Sequence, residues 1–299
     1  MGQIEVFSPA KINLFLSVLG RMENGFHELA SLVAQVDFGD RLFIDWEAAD
    51  SAAVELSCDD PSLPTDSGNL AYAAAEGFLL RSGLKWRVRI RLEKRIPHGA
   101  GLGGGSSNAS AVLTALGKLA QEAGELGLSR GETLELAAEL GSDCPLFLDQ
   151  KPKLMRGRGE VLSPVFGAAA EDLVGRELLL FKPSFSISTP WAYKTLAATE
   201  GAYDQREWAE ERLAAWSSGD LDLSQLLHNS FEKVAFPKYA AFDPLFRKMK
   251  GYSLECLMSG SGSSCFALLS SSSNVALLEG VVRDCWGDRV FVKRAKVLG

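Results

Sequence analysis

Hydrophobic and polar residues alternate along the N-terminal part of the chain, and this alternation predicts β-strands. A period of two, typical of a half-buried strand, separates Ile12, Leu14, Leu16 and Val18 from Lys11, Asn13, Phe15 and Ser17. The turn signal Asn24-Gly25 precedes a second run, from Leu29 to Phe38, so the two runs predict a β-hairpin. Lys11 and Asn13 would project from the same face of the first strand.

A second alternation runs through residues 86–93 and predicts another strand. Its two faces carry Trp86, Val88, Ile90 and Leu92 on one side, and Arg87, Arg89, Arg91 and Glu93 on the other. The arginine row is either a basic binding patch or a solvated strand face. The solvated face is favoured, because the positive charge is too local to outweigh the acidic remainder of the chain.

Four segments carry helical signals. Apolar spacing predicts helices from Asn69 to Ser82 and from near Ser106 to about Ala123. Ser129-x-x-Glu132 is a capping-box pattern, and Gly141 would end the helix that it starts. Asp243-Pro244 and Gly251 bracket a fourth helix in the same way. Strands, hairpin and interleaved helices together indicate an α/β or α+β protein.

The length of 299 residues fits one large domain or two modest ones. Between Lys151 and Glu177 the chain becomes rich in Gly, Pro and Ala, with Arg156-Gly157-Arg158-Gly159 inside this segment. We therefore predict a boundary here, between an N-terminal part of residues 1–155 and a C-terminal part of residues 156–299.

Composition narrows the class of protein. Lys and Arg number 31 against 38 Asp and Glu, a net charge of −7, which argues against binding of a nucleic-acid backbone. No apolar run approaches the roughly 20 residues of a membrane span, and no signal peptide is evident. The five cysteines contain no C-x-x-C pair, and there are three histidines. A Cys/His metal site is therefore disfavoured, and a reduced, cytoplasmic protein is expected.

The 29 glycines are unevenly distributed, and their densest run is the strongest candidate for chemistry. This glycine loop reads Pro97-His98-Gly99-Ala100-Gly101-Leu102-Gly103-Gly104-Gly105-Ser106-Ser107 and lies between a predicted strand and a predicted helix. Glycine lets a ligand approach the backbone closely, and successive N–H groups at a helix N-terminus bind anions. Ser106 and Ser107 add hydroxyl groups for a phosphate or a magnesium ion. A phosphate-binding loop is favoured over a flexible connection.

Three familiar nucleotide-binding motifs do not fit this loop. A P-loop requires a lysine after its last glycine, but Ser106 follows Gly105. The glycines satisfy G-x-G-x-x-G, yet the following helix leads into another capped helix rather than into the strand that a Rossmann fold needs. Asp37-Phe38-Gly39 imitates the DFG of protein kinases, but it precedes the loop and the chain lacks an H-R-D sequence.

A second cluster of glycine and serine runs from Met258 to Ser264 and precedes the apolar run Cys265 to Leu269. By itself, such a cluster is more often a plain turn that enters a strand. Paired with the glycine loop, it would close over the phosphates from the other half of the chain, with a nucleotide at the junction.

Three candidate side chains stay undecided on the residues alone. Ser8-Pro9-Ala10-Lys11 matches the S-x-x-K of penicillin-interacting enzymes, but the other elements of that signature are missing, and a lone strand lysine is usually solvated. Asp143, within Gly141-Ser142-Asp143-Cys144-Pro145, is either a structural cap or a catalytic acid. His27 is either a ligand contact or a solvent-facing loop histidine.

Read together, three blocks of the sequence resemble the GHMP kinases, the small-molecule kinases named for galactose, homoserine, mevalonate and phosphomevalonate. The blocks are Ser8 to Leu14, Pro97 to Asn108 and Met258 to Ala267, in the order of the family. Gly25-Phe26-His27 and Gly141-Ser142-Asp143 are similar to the branch whose substrate is methylerythritol linked to cytidine diphosphate. The resemblance implies a two-lobed α/β fold with the active site in the cleft between the lobes.

The resemblance also implies a reaction. ATP, with Mg²⁺, would phosphorylate the 2-hydroxyl of the methylerythritol unit, a step in non-mevalonate isoprenoid synthesis. Asp143 would be the base or orienting carboxylate, and Lys11 would hold Asp143 ionised and stabilise the transferring phosphoryl group. Residues 97–107 would cradle the phosphates, with Ser107 as the candidate magnesium ligand.

Further residues acquire binding roles from the same resemblance. Asn69, Leu70 and Lys94 would lie near the adenosine. Asn13 and His27 would bind the substrate, while Phe26 and Tyr193 would sandwich the cytosine between aromatic rings. Phe185 is the alternative to Tyr193. Many relatives carry tyrosine in place of Phe26, which keeps the ring and loses a hydroxyl.

Two other hypotheses compete with this one. The first is another GHMP kinase, acting on a sugar, homoserine or a mevalonate-type alcohol; Phe26 and His27 disfavour it, because a substrate without a base needs no aromatic clamp. The second is a non-catalytic nucleotide-binding protein, against which the presence of both Lys11 and Asp143 argues. In each case the expected partner is a small molecule rather than nucleic acid or membrane, and the expected state is a monomer or weak homodimer.

Overall fold

The computed structural model describes residues 1–299. Its strands are β1 Gly2–Arg21, β2 His27–Ala48, β3 Ala53–Cys58, β4 Trp86–Glu93, β5 Lys153–Gly157, β6 Val161–Pro164, β7 Glu177–Lys182, β8 His228–Asn229, β9 Cys256–Met258, β10 Cys265–Leu268 and β11 Phe291–Lys296. Its α-helices are α1 Leu70–Ser82, α2 Gly104–Glu122, α3 Arg130–Leu140, α4 Gly167–Leu173, α5 Thr189–Ala198, α6 Arg206–Ser218, α7 Leu223–Leu226, α8 Glu232–Lys238, α9 Phe242–Gly251 and α10 Val275–Trp286, and a 3-10 helix spans Cys144–Leu148. The mixed α/β class predicted from the sequence is confirmed.

The predicted hairpin is formed by β1 and β2, which turn at Gly25 with a φ of 86°. The prediction that β1 is half-buried is wrong, because Lys11 and Asn13 are only 5% and 1% exposed. Their polar face is covered by another segment of the chain, and the Asn13 N–H donates to the Ser259 hydroxyl at 3.4 Å. Alternation in the sequence therefore distinguishes an apolar face from a polar face here, but both faces are buried.

The four predicted helices are all present. The side chain of Asn69 caps α1, and the capping box of Ser129 and Glu132 starts α3. Helix α2 begins at Gly104 rather than near Ser106, because Gly103, with a φ of 71°, serves as its N-cap. No helix has both the length and the apolar character that crossing a membrane requires.

Unit 1 is a compact unit made of residues 1–10, 38–97 and 103–149. Its strand order is β3-β4-β2-β1, with β4 antiparallel to β2 and parallel to β3. Apolar residues of β2, β4, α1, α2 and α3 share one core, which includes Phe78 and Leu116. The opposite face of β4 carries the arginine row, and Arg89 pairs there with Asp45 at 3.0 Å. The prediction of a solvated strand face is confirmed, and its arginines are paired with acidic side chains.

Unit 2 consists of residues 11–37, 98–102 and 150–299. Within it, β1 pairs in parallel with β8, and β2 pairs antiparallel with β5, which in turn pairs with β6. A separate four-stranded antiparallel sheet has the order β11-β7-β10-β9. The core of unit 2 contains Phe181, Phe231 and Phe242 together with residues of α9 and α10.

The two units interleave along the chain, because β1 and β2 are long strands that each contribute residues to both. The boundary between residues 155 and 156 stays a prediction.

Candidate active site

The glycine loop that follows β4 leads directly into the N-terminus of α2. Gly99, Gly101 and Gly103 have φ angles of 62°, 75° and 71°, in a region that residues with a Cβ rarely adopt. Because α2 begins at Gly104, the N–H groups of its first turn have no partner within the helix. These N–H groups and the helix dipole together favour a bound anion.

Gly101 also permits a close backbone approach within unit 2. A Cβ at this position would lie 2.3 Å from the carbonyl oxygen of Ser259. The Ser259 hydroxyl donates to the Gly101 carbonyl at 3.2 Å, and the Ser264 N–H donates to the Ala100 carbonyl at 3.1 Å. The segment Met258–Ser264, called the glycine-serine loop below, is thus bonded to the glycine loop and is more than a turn that enters a strand.

Asn229 on β8 fixes the glycine-serine loop from its other side. Its amide Nδ2 donates to the carbonyls of Met258 and Gly260 at 2.5 and 2.9 Å, and its Oδ1 accepts from the Phe231 N–H at 2.9 Å. Sequence reasoning missed this residue, because a single asparagine on a two-residue strand carries no local signal.

Lys11 and Asn13 lie against both loops within unit 2. The Lys11 N–H donates to the Leu102 carbonyl at 2.9 Å, and the Lys11 Nζ donates to the Asn13 Oδ1 at 2.5 Å. A Cβ on Gly260 would lie 3.2 Å from the same Nζ. Lys11 is therefore not the solvated strand lysine of the alternative interpretation. Its buried side chain lies beside the backbone of the glycine-serine loop at Gly260.

In unit 1, Leu70 and Lys94 flank the first turn of α2. The Leu70 Cδ1 is 3.5 Å from the position of a Cβ on Gly105, and the Lys94 Nζ is 3.3 Å from that of a Cβ on Gly104. Asn69 is engaged elsewhere: its Oδ1 accepts from the Ala71 N–H at 3.0 Å, and its Nδ2 donates to the Pro64 carbonyl at 2.9 Å. Two of the three residues expected near adenosine thus border the predicted phosphate site directly.

Asp143 is half-buried and immediately precedes the 3-10 helix. Its turn is fixed by the Ser110 hydroxyl, which donates to the Cys144 carbonyl at 2.6 Å. A Cβ on Gly141 would lie 3.9 Å from the Ser106 Oγ, so this turn packs against the first turn of α2. Burial raises the pKa of Cys144 to about 11, although a hydrogen bond with Ser106 opposes the shift. A thiol with this pKa is not a nucleophile at neutral pH.

His27 lies in an aromatic group of unit 2 rather than facing solvent. Its ring centroid is 4.7 Å from that of Tyr193 and 6.0 Å from that of Tyr203, and Tyr193 also packs edge-on against Phe231. The Nε2 of His27 is buried without a hydrogen-bond partner. Burial, with a smaller contribution from the charge of Arg21, lowers the pKa of His27, which favours the neutral imidazole.

Phe26 and Phe185 have different surroundings. The Phe26 ring is 52% exposed, and the Arg158 guanidinium lies 4.9 Å from its centroid. The Phe185 ring stacks on Tyr239 at 4.8 Å and meets Phe242 edge-on. Phe185 therefore belongs to a second aromatic cluster, while Tyr193 contacts His27.

The donor chemistry of the glycine loop fits magnesium carried by a nucleotide. No group of three or more His, Cys, Asp or Glu side chains is arranged to hold a metal ion. Mg²⁺ usually keeps several waters and is bound through phosphates plus one or two protein oxygens. The Ser107 hydroxyl is such an oxygen, although it already accepts a hydrogen bond from the Ser8 hydroxyl at 2.8 Å.

Family models match both halves of the chain. The model for the N-terminal domain of GHMP kinases covers residues 69–150, and the model for their C-terminal domain covers residues 212–287. The chain belongs to the GHMP kinases. It is accordingly an ATP-dependent small-molecule kinase, and the glycine loop lies inside the N-terminal match.

Curated relatives of this GHMP kinase extend over nearly its whole length. A 4-diphosphocytidyl-2-C-methyl-D-erythritol kinase of Methylacidiphilum infernorum is 42% identical over 89% of this chain and 86% of the relative. The enzyme of the same name from Synechococcus sp. strain CC9311 is 37% identical over 96% and 94%.

Solved structures share the fold. The crystal structure of a 4-(cytidine 5'-diphospho)-2C-methyl-D-erythritol kinase has a TM-score of 0.77 at 34% identity, and the match covers 98% of this chain and 99% of the other. The homoserine kinase from Cytophaga hutchinsonii has a TM-score of 0.71 at 17% identity, with 100% and 95% covered. The second similarity concerns the fold alone.

Proposed function

We propose that this kinase transfers the γ-phosphoryl group of ATP to the 2-hydroxyl of 4-diphosphocytidyl-2-C-methyl-D-erythritol, a step in non-mevalonate isoprenoid synthesis. The observation that carries the proposal is the 42% identity to a kinase of this name over 89% of the chain. The family models cover the glycine loop, within residues 69–150, and the glycine-serine loop, within residues 212–287.

The phosphates of ATP would bind at the glycine loop, residues 97–107. Glycines with positive φ and the uncapped N–H groups of α2 supply positive potential from the backbone, so a chain with a net charge of −7 needs few basic side chains to bind a polyphosphate. Leu70 and Lys94 would contact the nucleoside or its phosphates, and Asn69 would shape the adenosine site through its cap on α1. Ser107 would hold Mg²⁺, which neutralises charge on the transferring phosphoryl group.

Asp143 and Lys11 would carry the chemistry. Asp143 would accept the proton of the 2-hydroxyl as the new oxygen–phosphorus bond forms and the bond to the ADP oxygen breaks. Lys11 would stabilise the negative charge on the transferring group, which is the main form of catalysis in phosphoryl transfer. The burial of Lys11 supports this role, because an electrostatic interaction is stronger where water is excluded.

The cytidine unit would bind at the aromatic group around His27. A neutral imidazole with a buried, unpartnered Nε2 suits a hydrogen bond to the edge of a base. Tyr193 is preferred over Phe185 as a stacking ring, because Tyr193 contacts His27 whereas Phe185 stacks on Tyr239. Phe26 would supply the second ring, and Asn13 would bind the methylerythritol.

A different alcohol substrate is the alternative. The folds of homoserine kinase and mevalonate kinase are similar, with TM-scores of 0.71 and 0.68 at 17% and 12% identity, but similarity at this level concerns the fold alone. The aromatic group around His27 favours a substrate that contains a base.

A substrate panel tests the proposal. ADP release is measured with 4-diphosphocytidyl-2-C-methyl-D-erythritol, homoserine, mevalonate and galactose, each with MgATP. We expect turnover only with the cytidine-containing alcohol. Turnover with homoserine, mevalonate or galactose, and none with that alcohol, would show that the substrate assignment is wrong. The cytoplasmic location and the oligomeric state stay predictions.

A further inference from the structure

A buried polar network lies beneath the N-terminus of α2 in unit 1. It contains Ser8 of β1, Asp40 of β2, Lys94 after β4, and Ser107 and Asn108 of α2, and is called the Asp40 network below. Asp40 is 0% exposed. It directly follows Asp37-Phe38-Gly39, the segment that imitates the DFG motif of protein kinases. The proposed reaction does not use that segment as a DFG motif.

Asp40 is the centre of this network. Its Oδ1 accepts hydrogen bonds from the N–H groups of Arg95 and Ile96 at 2.7 and 2.8 Å. Its Oδ2 accepts from the Asn108 Nδ2 at 2.9 Å and forms an ion pair with the Lys94 ammonium. One carboxylate therefore fixes both the backbone that enters the glycine loop and the basic side chain beside it.

The network continues to the hydroxyl of Ser107. The Asn108 Nδ2 donates to the Ser8 Oγ at 2.8 Å, and the Ser8 hydroxyl donates to the Ser107 Oγ at 2.8 Å. Gly39 makes this possible, because a Cβ there would lie 2.2 Å from the Ser8 carbonyl oxygen and would push the two strands apart. The Ser107 oxygen is thus oriented by a chain of hydrogen bonds that starts at Asp40.

The placement of Lys94 completes the argument. Its Nζ lies 3.3 Å from the position of a Cβ on Gly104, beside the uncapped N–H groups of α2. A buried ion pair adds little net stability compared with an apolar replacement. The ion pair of Asp40 and Lys94 lies at the predicted anion site. Its placement is therefore explained if Asp40 holds the Lys94 ammonium where it can contact an anionic ligand.

We propose that Asp40 is a positioning residue for the nucleotide. It holds the Lys94 ammonium beside the first turn of α2 and, through Asn108 and Ser8, orients the Ser107 hydroxyl for the magnesium-bound phosphates. This inference rests on the proposed function only in that ATP is the phosphoryl donor, and it is independent of the alcohol substrate.

Nucleotide binding without the alcohol gives a direct test. Calorimetric titration with the non-hydrolysable analogue AMP-PNP, in the presence of Mg²⁺, compares the wild-type protein with Asp40→Asn. The substitution keeps the shape but directs an amide donor at Lys94 and Asn108, and we expect the Kd to rise about 10- to 100-fold. The matched control is Asp37→Asn on the same strand, whose exposed carboxylate accepts from the Lys296 N–H at 2.6 Å; its Kd should stay within about twofold of the wild-type value, below the effect of any lost buried bond.

A double-mutant cycle separates positioning from a merely structural role. Lys94→Met should weaken AMP-PNP binding, and Asp40→Asn combined with Lys94→Met should weaken it by less than the product of the two single effects. The double variant also removes the buried cation that is left unpaired in Asp40→Asn, so it tests the proposal if that single variant fails to fold. A double variant whose loss of affinity is smaller than the product of the two single losses supports the proposal.

Two outcomes would overturn the inference. One is Asp40→Asn protein that is folded by circular dichroism and binds AMP-PNP as tightly as the wild-type protein. The other is strictly multiplicative effects of the two substitutions. If the wild-type protein binds AMP-PNP but does not phosphorylate the cytidine-containing alcohol, the proposed substrate is wrong while the role of Asp40 stands.

Discussion

The glycine loop and the glycine-serine loop are fixed by different physical means. In unit 1, the start of α2 rests on charged and polar side chains: Asp40, Lys94 and Asn108 share hydrogen bonds and an ion pair. In unit 2, the glycine-serine loop is fixed by neutral bonds to backbone carbonyls, two of them from the amide of Asn229. A substitution that neutralises a charged side chain should therefore disturb the start of α2 most. A substitution that adds side-chain volume should disturb the glycine-serine loop most.

Two carboxyl groups make the same contrast. Asp40 lies against the Lys94 ammonium, and the two side chains are 0% and 10% exposed. Glu232, at the start of α8, accepts from the Met258 N–H at 2.7 Å, and burial raises the pKa of Glu232 to about 8, although this hydrogen bond opposes the shift. Carboxyl groups beside the two loops thus face opposite environments, one with a cation and one dominated by desolvation.

The largest expected effects come from the two side chains proposed to carry the chemistry, one beside each loop. Asp143→Asn and Lys11→Met should each lower kcat by about 10²- to 10³-fold or more, because each removes charge or proton acceptance from the transition state. Steady-state ADP release measures kcat, and AMP-PNP titration should show that nucleotide binding changes much less.

Matched controls for these variants are Asp149→Asn, at the other end of the 3-10 helix, and Lys118→Met, whose side chain is 62% exposed on α2. Both should keep wild-type kcat. A near-normal rate in Asp143→Asn or in Lys11→Met would remove that residue from the mechanism.

Added volume in unit 2 should give the next largest effect. Gly101→Ala introduces a Cβ at 2.3 Å from the Ser259 carbonyl and keeps a φ of 75°. We expect a loss of about 2–4 kcal/mol in the free energy of unfolding, from backbone strain plus displacement of the glycine-serine loop. Urea unfolding measures this loss.

The control for that substitution is Gly117→Ala within α2, where a Cβ would meet nothing within 4 Å. Higher helix propensity should stabilise the protein by up to about 1 kcal/mol. Equal stabilities of the two variants would contradict the close approach at Gly101.

A further expected effect concerns the pH dependence of stability through Glu232. An unfolded Glu titrates near 4.5, and the folded-state pKa of Glu232 is about 8. Between these values the folded state binds the extra proton, so this group lowers the free energy of unfolding as pH rises from about 4.5 to about 8. Glu232→Gln keeps an acceptor for the Met258 N–H and should remove this decline of stability with pH. The variant should therefore be more stable than the wild-type protein at alkaline pH, by on the order of 1 kcal/mol for each unit of pKa difference.

Urea unfolding near pH 5 and near pH 8.5, on either side of that titration, checks this prediction. The exposed Glu255 offers the control Glu255→Gln, which should shift stability equally at both pH values. A Glu232→Gln difference that does not grow with pH would show that Glu232 is ionised in the folded protein throughout this range.

Much of the fold was predictable because its signals are local. The hairpin turn at Asn24-Gly25, the capping box of α3 and the glycine loop are each contained in a few consecutive residues. The half-burial of β1 was predicted wrongly, because the segment that covers Lys11 and Asn13 is the glycine-serine loop, far away in the chain. His27 stayed open for the same reason, since its surroundings come from Tyr193 and Tyr203.

The sequence by itself determined the hairpin, four of the helices and the resemblance to the GHMP kinases, and it predicted an anion-binding glycine loop. Only the tertiary structure decided how the loops are supported. Ser8 meets Ser107 across 99 positions and Ser259 meets Gly101 across 158 positions of the chain. Turn, cap and periodicity signals depend on neighbours within a few residues. A buried hydrogen bond between distant segments depends on how all the intervening elements pack, and no short pattern encodes it.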